Sequence, residues 1–79
     1  MQYEVLMPKL GHEMESGVVE AWFKQVGDTV ERGEVLAEIT TDKTNVEMES
    51  LHSGVLTAIA VPAGGEVTVG QVIAYIEGD

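Results

Sequence analysis

Few side chains in this sequence could do chemistry. The 79 residues contain no cysteine, two histidines, and four lysines and arginines against 14 aspartates and glutamates, which gives a formal net charge of −10. Without cysteine there is no thiol nucleophile, no cysteine zinc site and no disulfide framework. The negative charge argues against nucleic acid and anionic membranes as partners, because both favour clustered positive charge. The four cations are few enough to be considered one by one.

Lys43 differs from the other cations in its position. It lies in the polar tetrapeptide Thr41-Asp42-Lys43-Thr44, between two segments patterned as strands, which is consistent with a two-residue hairpin turn. Lys24 and Arg32 occupy variable, solvent-facing positions of an internal repeat, and Lys9 is expected in a loop. A lysine in a hairpin turn is either an ordinary solvated side chain or a point of attachment, and its chemistry alone leaves both readings open.

The internal repeat predicts the elements that position this turn. Moving residues 16–42 forward by 37 positions places them on residues 53–79 without a gap, and eleven of the 27 positions are identical. The identical positions include glycines, which allow tight turns, and alternate apolar residues, which face a core. We interpret the repeat as a duplicated β unit with approximate two-fold symmetry. The counterpart of the Lys43 turn is then the place where the two chain ends meet, so the lysine is expected at a hairpin tip opposite the termini.

Strand patterns run through the whole chain. Residues 35–40, 44–49 and 72–77 alternate, with Val35, Ala37 and Ile39 on one face, and residues 2–7, 17–24 and 54–61 are also predicted as strands. The alternation in 17–24 and 54–61 is imperfect, which indicates β-bulges. The sequence therefore predicts a single all-β domain over residues 1–79, a flattened barrel or sandwich of two antiparallel sheets with roughly four strands each. A chain this short buries about 60% of its unfolded surface, so a large enclosed active site is not expected.

The tetrapeptide around Lys43 resembles the lysine turn of lipoyl domains from 2-oxo acid dehydrogenase complexes. The spacing agrees as well, because Gly27 lies sixteen residues before Lys43 and Gly54 lies eleven residues after it. The segments 7–11 and 27–33 are similar to the same family, so the resemblance covers nearly the whole chain. The chain departs from the family at Thr40, where the family often has glutamate.

The residues that flank Lys43 separate lipoate from biotin. Biotin carriers have a similar fold, but they place methionine on both sides of the modified lysine. This chain has Asp42 and Thr44 at those positions. The resemblance therefore favours lipoate over biotin.

The resemblance implies a carrier rather than an enzyme. Lipoate would be attached to Lys43 as N6-lipoyllysine, by a lipoate ligase or by lipoyl synthesis enzymes that recognise Asp42 and Thr44. A thiamine-diphosphate-dependent decarboxylase would load an acyl group, an acyltransferase core would pass it to coenzyme A, and dihydrolipoamide dehydrogenase would reoxidise the dithiol. The implied parent chain is the dihydrolipoamide acyltransferase component of a 2-oxo acid or acetoin dehydrogenase complex.

A second candidate region is the segment Leu10-Gly11-His12-Glu13-Met14-Glu15. Aligning Met7 with Met48 and Gly17 with Gly54 makes this connection about four residues longer than its counterpart in the second half. Such an insertion is either tolerated decoration or a recognition loop. The resemblance implies that the segment lies beside the lipoyl turn and would take part in recognition by the decarboxylase. The segment contains one histidine, whereas a helical zinc motif has two, so no metal site is expected.

Two other functions are compatible with the sequence. One is a biotinyl carrier domain of a carboxylase, and the other is an unmodified β-sandwich interaction domain in which Lys43 stays free. The sequence does not identify the 2-oxo acid. The isolated domain is expected to be monomeric, and the expected location is a bacterial or archaeal cytoplasm, or the mitochondrial matrix if the source is eukaryotic.

Overall fold

The computed structural model describes residues 1–7, 16–41 and 44–78, which form eight β-strands and no helix. The strands pair into two antiparallel four-stranded sheets, in the order β1-β8-β6-β3 and β5-β4-β2-β7. The predicted all-β architecture with two four-stranded sheets is confirmed. The strands are β1 (Gln2–Leu6), β2 (Ser16–Trp22), β3 (Thr29–Val30), β4 (Val35–Thr40), β5 (Asn45–Glu49), β6 (Gly54–Ile59), β7 (Glu66–Thr68) and β8 (Val72–Glu77). In this described part of the chain no helix is long and apolar enough to cross a membrane.

The two halves of the chain pair their strands in the same register. In the first half β2 pairs with β4, and Val18 is the partner of Thr40. In the second half β6 pairs with β8, and Val55 is the partner of Glu77, so both residues are displaced by the 37 positions of the sequence repeat. The pairing of β7 with β2 corresponds in the same way to that of β3 with β6. The predicted repeat is therefore a symmetry of strand pairing as well as of sequence.

Bulges occur at matching places in the two halves. The register shifts between Val19 and Ala21 in β2 and at the corresponding place in β6, where the sequence alternation is imperfect. It also shifts in β4, where Val35 and Ala37 face successive residues of β5 and leave Leu36 as an extra residue. Leu36 is fully buried and Val35 is only half-buried. The prediction that Val35 shares the inner face with Ala37 and Ile39 is wrong for this reason.

The hydrophobic core consists largely of symmetry-related side chains. Five pairs of fully buried side chains are related by the repeat, and burying a valine, leucine or isoleucine contributes about 1.5–3 kcal/mol. Both sheets therefore contribute equivalent inner faces to one apolar layer. The buried pairs are Val19 with Leu56, Val30 with Val67, Leu36 with Ile73, Ala37 with Ala74, and Ile39 with Ile76, and Met7, Met48 and Val61 complete the buried apolar set.

The backbone pairing around Met7 corrects the predicted length of the first connection. The Met7 N–H donates to the Gln71 carbonyl at 2.9 Å, and the Ser50 N–H donates to the Glu34 carbonyl at 2.8 Å. Glu34 and Gln71 are repeat counterparts, so Met7 corresponds to Ser50 and not to Met48. Counted from these positions, the first connection is six residues longer than its counterpart, instead of about four.

Candidate functional site

The predicted lysine turn joins β4 to β5. Asp42 and Lys43 lie outside the described residues, but the residues on both sides of them are described. The Thr41 N–H donates to the Thr44 carbonyl at 2.9 Å, which extends the strand pairing beyond Thr40 and Asn45. The chain between these two threonines is two residues long, as the predicted hairpin requires.

The side chain of Thr41 reinforces the base of this hairpin. Its hydroxyl donates to the Thr44 carbonyl at 2.8 Å and accepts a hydrogen bond from the Thr44 N–H at 3.3 Å. Three hydrogen bonds therefore join the two threonines. Thr44 is exposed and Thr41 is half-buried, so this closed base lies at the surface of the domain. It fixes both ends of the two-residue connection that contains the candidate lysine.

Glu20 is a neighbour of this site that the sequence pattern did not identify. It is the extra residue of the β2 bulge, and the Thr40 hydroxyl donates to its carboxylate at 3.1 Å. Thr40 is the position at which the chain departs from the lipoyl-domain pattern. An exposed carboxylate nevertheless lies beside position 40. It belongs to Glu20 of β2 and not to a residue of β4. The imperfect alternation of residues 17–24 predicted the bulge, but nothing in the sequence predicted the contact.

The two chain ends form the symmetric counterpart of the hairpin base. The Gly78 N–H donates to the Met1 carbonyl at 2.8 Å, which corresponds to the bond between Thr41 and Thr44. The Met1 ammonium group also donates to the Gly78 carbonyl and lies 3.4 Å from the Glu77 carboxylate. The predicted correspondence between the lysine turn and the meeting of the chain ends is confirmed for the residues that flank each.

Lys24 is held in an ion pair. Its Nζ lies 3.0 Å from the Glu34 carboxylate. The hydrogen bond from Lys24, together with a second one from the Glu31 N–H, lowers the pKa of Glu34 below its usual value. This interaction agrees with the expected surface position of Lys24.

The second candidate region, Leu10-Gly11-His12-Glu13-Met14-Glu15, lies outside the described residues, as does Lys9. The strand that follows it is described. Ser16 begins β2, and Val18, two residues later, is the partner of Thr40 at the end of β4. The segment therefore rejoins the fold beside the strand that leads into the lysine hairpin. Its part in recognition stays a prediction.

Comparisons with known proteins agree with this arrangement. The biotin–lipoyl family, whose model is described as "Biotin-requiring enzyme", matches residues 3–76. The chain is 46% identical over 76 residues, 96% of its length, to the dihydrolipoyllysine-residue acetyltransferase component of the acetoin cleaving system of Bacillus subtilis. It is 44% identical over 73 residues, 92% of its length, to the dihydrolipoyllysine-residue succinyltransferase component of the 2-oxoglutarate dehydrogenase complex of Staphylococcus saprophyticus. It covers only 19% and 17% of these two relatives.

A solved structure shows the same fold. The solution structure of the lipoyl domain of the 2-oxoglutarate dehydrogenase complex from Azotobacter vinelandii superposes with a TM-score of 0.75 at 27% sequence identity. The match covers 95% of both chains, so the likeness extends over both sheets.

Proposed function

We propose that Lys43 carries lipoate as N6-lipoyllysine. The premise is that this chain belongs to the biotin–lipoyl family of attachment domains. Within that family the chain is a lipoyl carrier domain and not itself an enzyme, because its relatives are dihydrolipoyllysine acyltransferase components and the similar structure is a lipoyl domain. A biotinyl carrier and an unmodified interaction domain are not favoured. The observation that carries the proposal for Lys43 is the closed hairpin base formed by Thr41 and Thr44 on either side of it.

The described residues fit an attached lipoyl group. An amide to a lysine amine needs an accessible side chain and no binding pocket, and Thr44, the residue after the lysine, is exposed. The described lysine elsewhere, Lys24, is paired with Glu34 at 3.0 Å. When bound, lipoate supplies a cyclic disulfide that can be reduced, acylated and reoxidised.

The residues around Lys43 have positioning and recognition roles in this proposal. The Lys43 amine provides the atom of attachment and loses its charge when the amide forms. Asp42 and Thr44 stand where biotin carriers have methionine, so they distinguish the enzymes that attach the two cofactors. Glu20, bonded to Thr40, adds a carboxylate to the same surface. Because hydrogen bonds fix the flanks in advance, less conformational freedom is lost when a modifying enzyme binds.

We infer that the longer parent chain is the acyltransferase component of a 2-oxo acid or acetoin dehydrogenase complex. The support is the identity to two such components over 92% and 96% of the chain. In this role the domain serves a thiamine-diphosphate-dependent decarboxylase, the acyltransferase core and dihydrolipoamide dehydrogenase. The two relatives belong to different systems at nearly equal identity, 44% and 46%, so similarity does not assign the substrate.

Intact mass spectrometry after expression with a lipoate ligase and free lipoate tests the proposal. We expect one lipoyl group per chain in the parent and in the matched control K24R, and none in K43R. A charge-preserving change in a turn alters stability little, within about ±0.5 kcal/mol, so K43R is expected to fold as the parent does. A lipoyl group on K43R contradicts the assignment. Attachment of biotin to the parent, when both ligases and both cofactors are present, contradicts the choice of lipoate.

A further inference from the structure

In the part of the chain that the structure describes, a groove lies between the two sheet edges formed by β1 and β5. Each of these strands pairs on one side only, β1 with β8 and β5 with β4. The groove has a volume of about 660 Å³ and is lined by residues of both strands and of the turns that follow β5 and β7. Met7 and Met48, which are 1% and 2% exposed, form its floor and connect it to the hydrophobic core.

The walls of the groove expose large apolar side chains. Leu6, Leu51 and Val69 line it and are 48%, 75% and 37% exposed. Single exposed apolar residues are ordinary on protein surfaces. Three of them line one groove above a floor of two methionines, so the groove offers apolar surface against which a partner's side chains can pack.

The most exposed of these side chains is held in place by its own turn. The Ser50 hydroxyl is buried; it donates to the His52 carbonyl at 2.6 Å and accepts a hydrogen bond from the His52 N–H at 3.2 Å. The imidazole of His52 stacks on the ring of Tyr3, with the ring centroids 3.9 Å apart. Leu51 lies between Ser50 and His52, so a large apolar side chain is presented to solvent on a fixed backbone. Such preorganisation lowers the entropy that binding must offset.

The rim of the groove is acidic. Glu4, Glu47 and Glu49 line it, and no cation among residues 1–7, 16–41 and 44–78 forms an ion pair with them. Glu47 also lies directly opposite Glu38 of β4, and like charges at directly paired positions are unfavourable. A cationic partner would relieve this repulsion as well as neutralise the rim.

We propose that this groove binds an extended, cationic segment of a partner protein. The partner's apolar side chains lie against Leu6, Leu51 and Val69, and its lysine or arginine side chains contact the three glutamates. Each edge strand has five residues, about 17 Å of extended chain, so a partner segment of similar length spans the groove. The proposal rests on residues of β1, β5 and the turns that follow β5 and β7, and it holds whether or not Lys43 is modified.

Charge argues against two other occupants. A second copy of this chain also has a net charge of −10, so self-association through an acidic rim is opposed by repulsion. The segment 8–15, which follows Met7, contains one lysine against two glutamates and has no electrostatic preference for this rim.

Titration of the unmodified, ¹⁵N-labelled domain with a synthetic peptide tests the proposal. The probe is a seven-residue peptide in which lysine alternates with leucine or valine, and the control peptide has glutamate in place of each lysine. We expect a Kd of about 0.1–1 mM for the cationic peptide, as for weak transient contacts, with amide shifts concentrated in β1, β5 and residues 50–52 and 69–70. Binding by the acidic peptide at similar strength overturns the proposal, as do shifts centred on the exposed residues Phe23 and Val26.

Matched variants separate the groove from general charge attraction. We expect L51S to weaken binding at least about fivefold and E47Q about threefold, whereas F23S and E66Q, which change exposed residues elsewhere, stay within about twofold of the parent. Equal binding by L51S and F23S overturns the proposal. A variant in which segment 8–15 is shortened to two residues tests whether that segment itself occupies the groove. Unchanged affinity for the cationic peptide supports the proposal. Peptide binding that appears only after shortening overturns it.

Discussion

The base of the lysine hairpin and the meeting point of the chain ends have the same backbone hydrogen-bonding arrangement. In one, the Thr41 N–H donates to the Thr44 carbonyl, and in the other the Gly78 N–H donates to the Met1 carbonyl, at 2.9 and 2.8 Å. The strands that lead into them, β4 with β5 and β8 with β1, have matching register and matching bulges. Only the first is closed by two further residues, and those residues are Asp42 and Lys43.

The difference between these two regions lies in side chains and connections that the repeat does not share. Glu20, beside the hairpin, corresponds to Thr57, whose hydroxyl donates to a backbone carbonyl at 3.2 Å instead of bonding another side chain. The segment 8–15 rejoins the fold near the hairpin end, and its counterpart near the chain ends is six residues shorter. The duplicated residues therefore build the scaffold, and the residues that break the duplication distinguish the end that contains the candidate lysine.

The largest effect is expected from the symmetric core. Leu36 and Ile73 are counterparts, and both are fully buried. We expect L36A and I73A each to lower the free energy of unfolding by about 3 kcal/mol, because each leaves a cavity in a packed layer. Urea denaturation of the two variants checks this. A difference between them greater than about 2 kcal/mol would show that the two halves of the core are not energetically equivalent.

Moving the lysine from the hairpin to the junction of the chain ends separates lipoate attachment from recognition by the decarboxylase. A circular permutant of the K43Q variant opens the chain between Pro62 and Ala63, joins Asp79 to residue 1 through one added lysine and carries M1T, which reproduces the order Asp-Lys-Thr between paired flanks. We expect this lysine to be lipoylated, because the flanking strands match those of the hairpin. Reductive acylation by the cognate decarboxylase is expected to fall more than about tenfold, because segment 8–15 rejoins the fold at the other end.

The control is a permutant with the same break and M1T, with Lys43 retained and glutamine at the junction. It is expected to be both lipoylated and acylated as the parent is. If the junction lysine stays unmodified in a folded permutant, the modifying enzyme reads residues beyond the turn and its strands.

Shortening segment 8–15 to two residues makes the two connections alike. We expect folding and lipoylation to change little, and kcat/KM for reductive acylation to fall about tenfold, which is about 1.4 kcal/mol of lost transition-state stabilisation. The measurement compares fully lipoylated parent and variant with the same decarboxylase. Equal values of kcat/KM would place recognition in the lysine hairpin alone.

The smallest effect concerns an ion pair found in one half only. Lys24 and Glu34 correspond to Val61 and Gln71, which carry no charge. Because Lys24 lowers the pKa of Glu34 in the folded state, the pair contributes stability at neutral pH, and this contribution is lost as the pH falls through the lowered pKa. We expect K24Q to be slightly less stable than the parent at pH 7 and equal to it near pH 2. A constant difference across this range, measured by urea denaturation, would exclude the charge interaction as its cause.

Much of the scaffold could be predicted from the repeat. Glycines and alternate apolar residues recur at a fixed distance, and both reflect local constraints, turn geometry and the two faces of a strand. The hairpin of residues 41–44 was predicted because polar residues separate two patterned strands, and its described flanks confirm it. The bulges in β2 and β6 were predicted from broken alternation. The two shortest strands, β3 and β7, were not predicted individually, because two or three residues are too few to show a period of two.

The sequence by itself determined the all-β class, the duplication and the position of the candidate lysine between two strands. The tertiary structure decided which residues oppose each other: it buries Leu36 in place of Val35, matches Met7 with Ser50, and places Glu20 beside Thr40. It also decided that β1 and β5 leave a groove between them. The physical reason is that alternation along one strand specifies only its two faces. Register, bulges and the separation of sheet edges depend on hydrogen bonds and packing between strands that are distant in the chain.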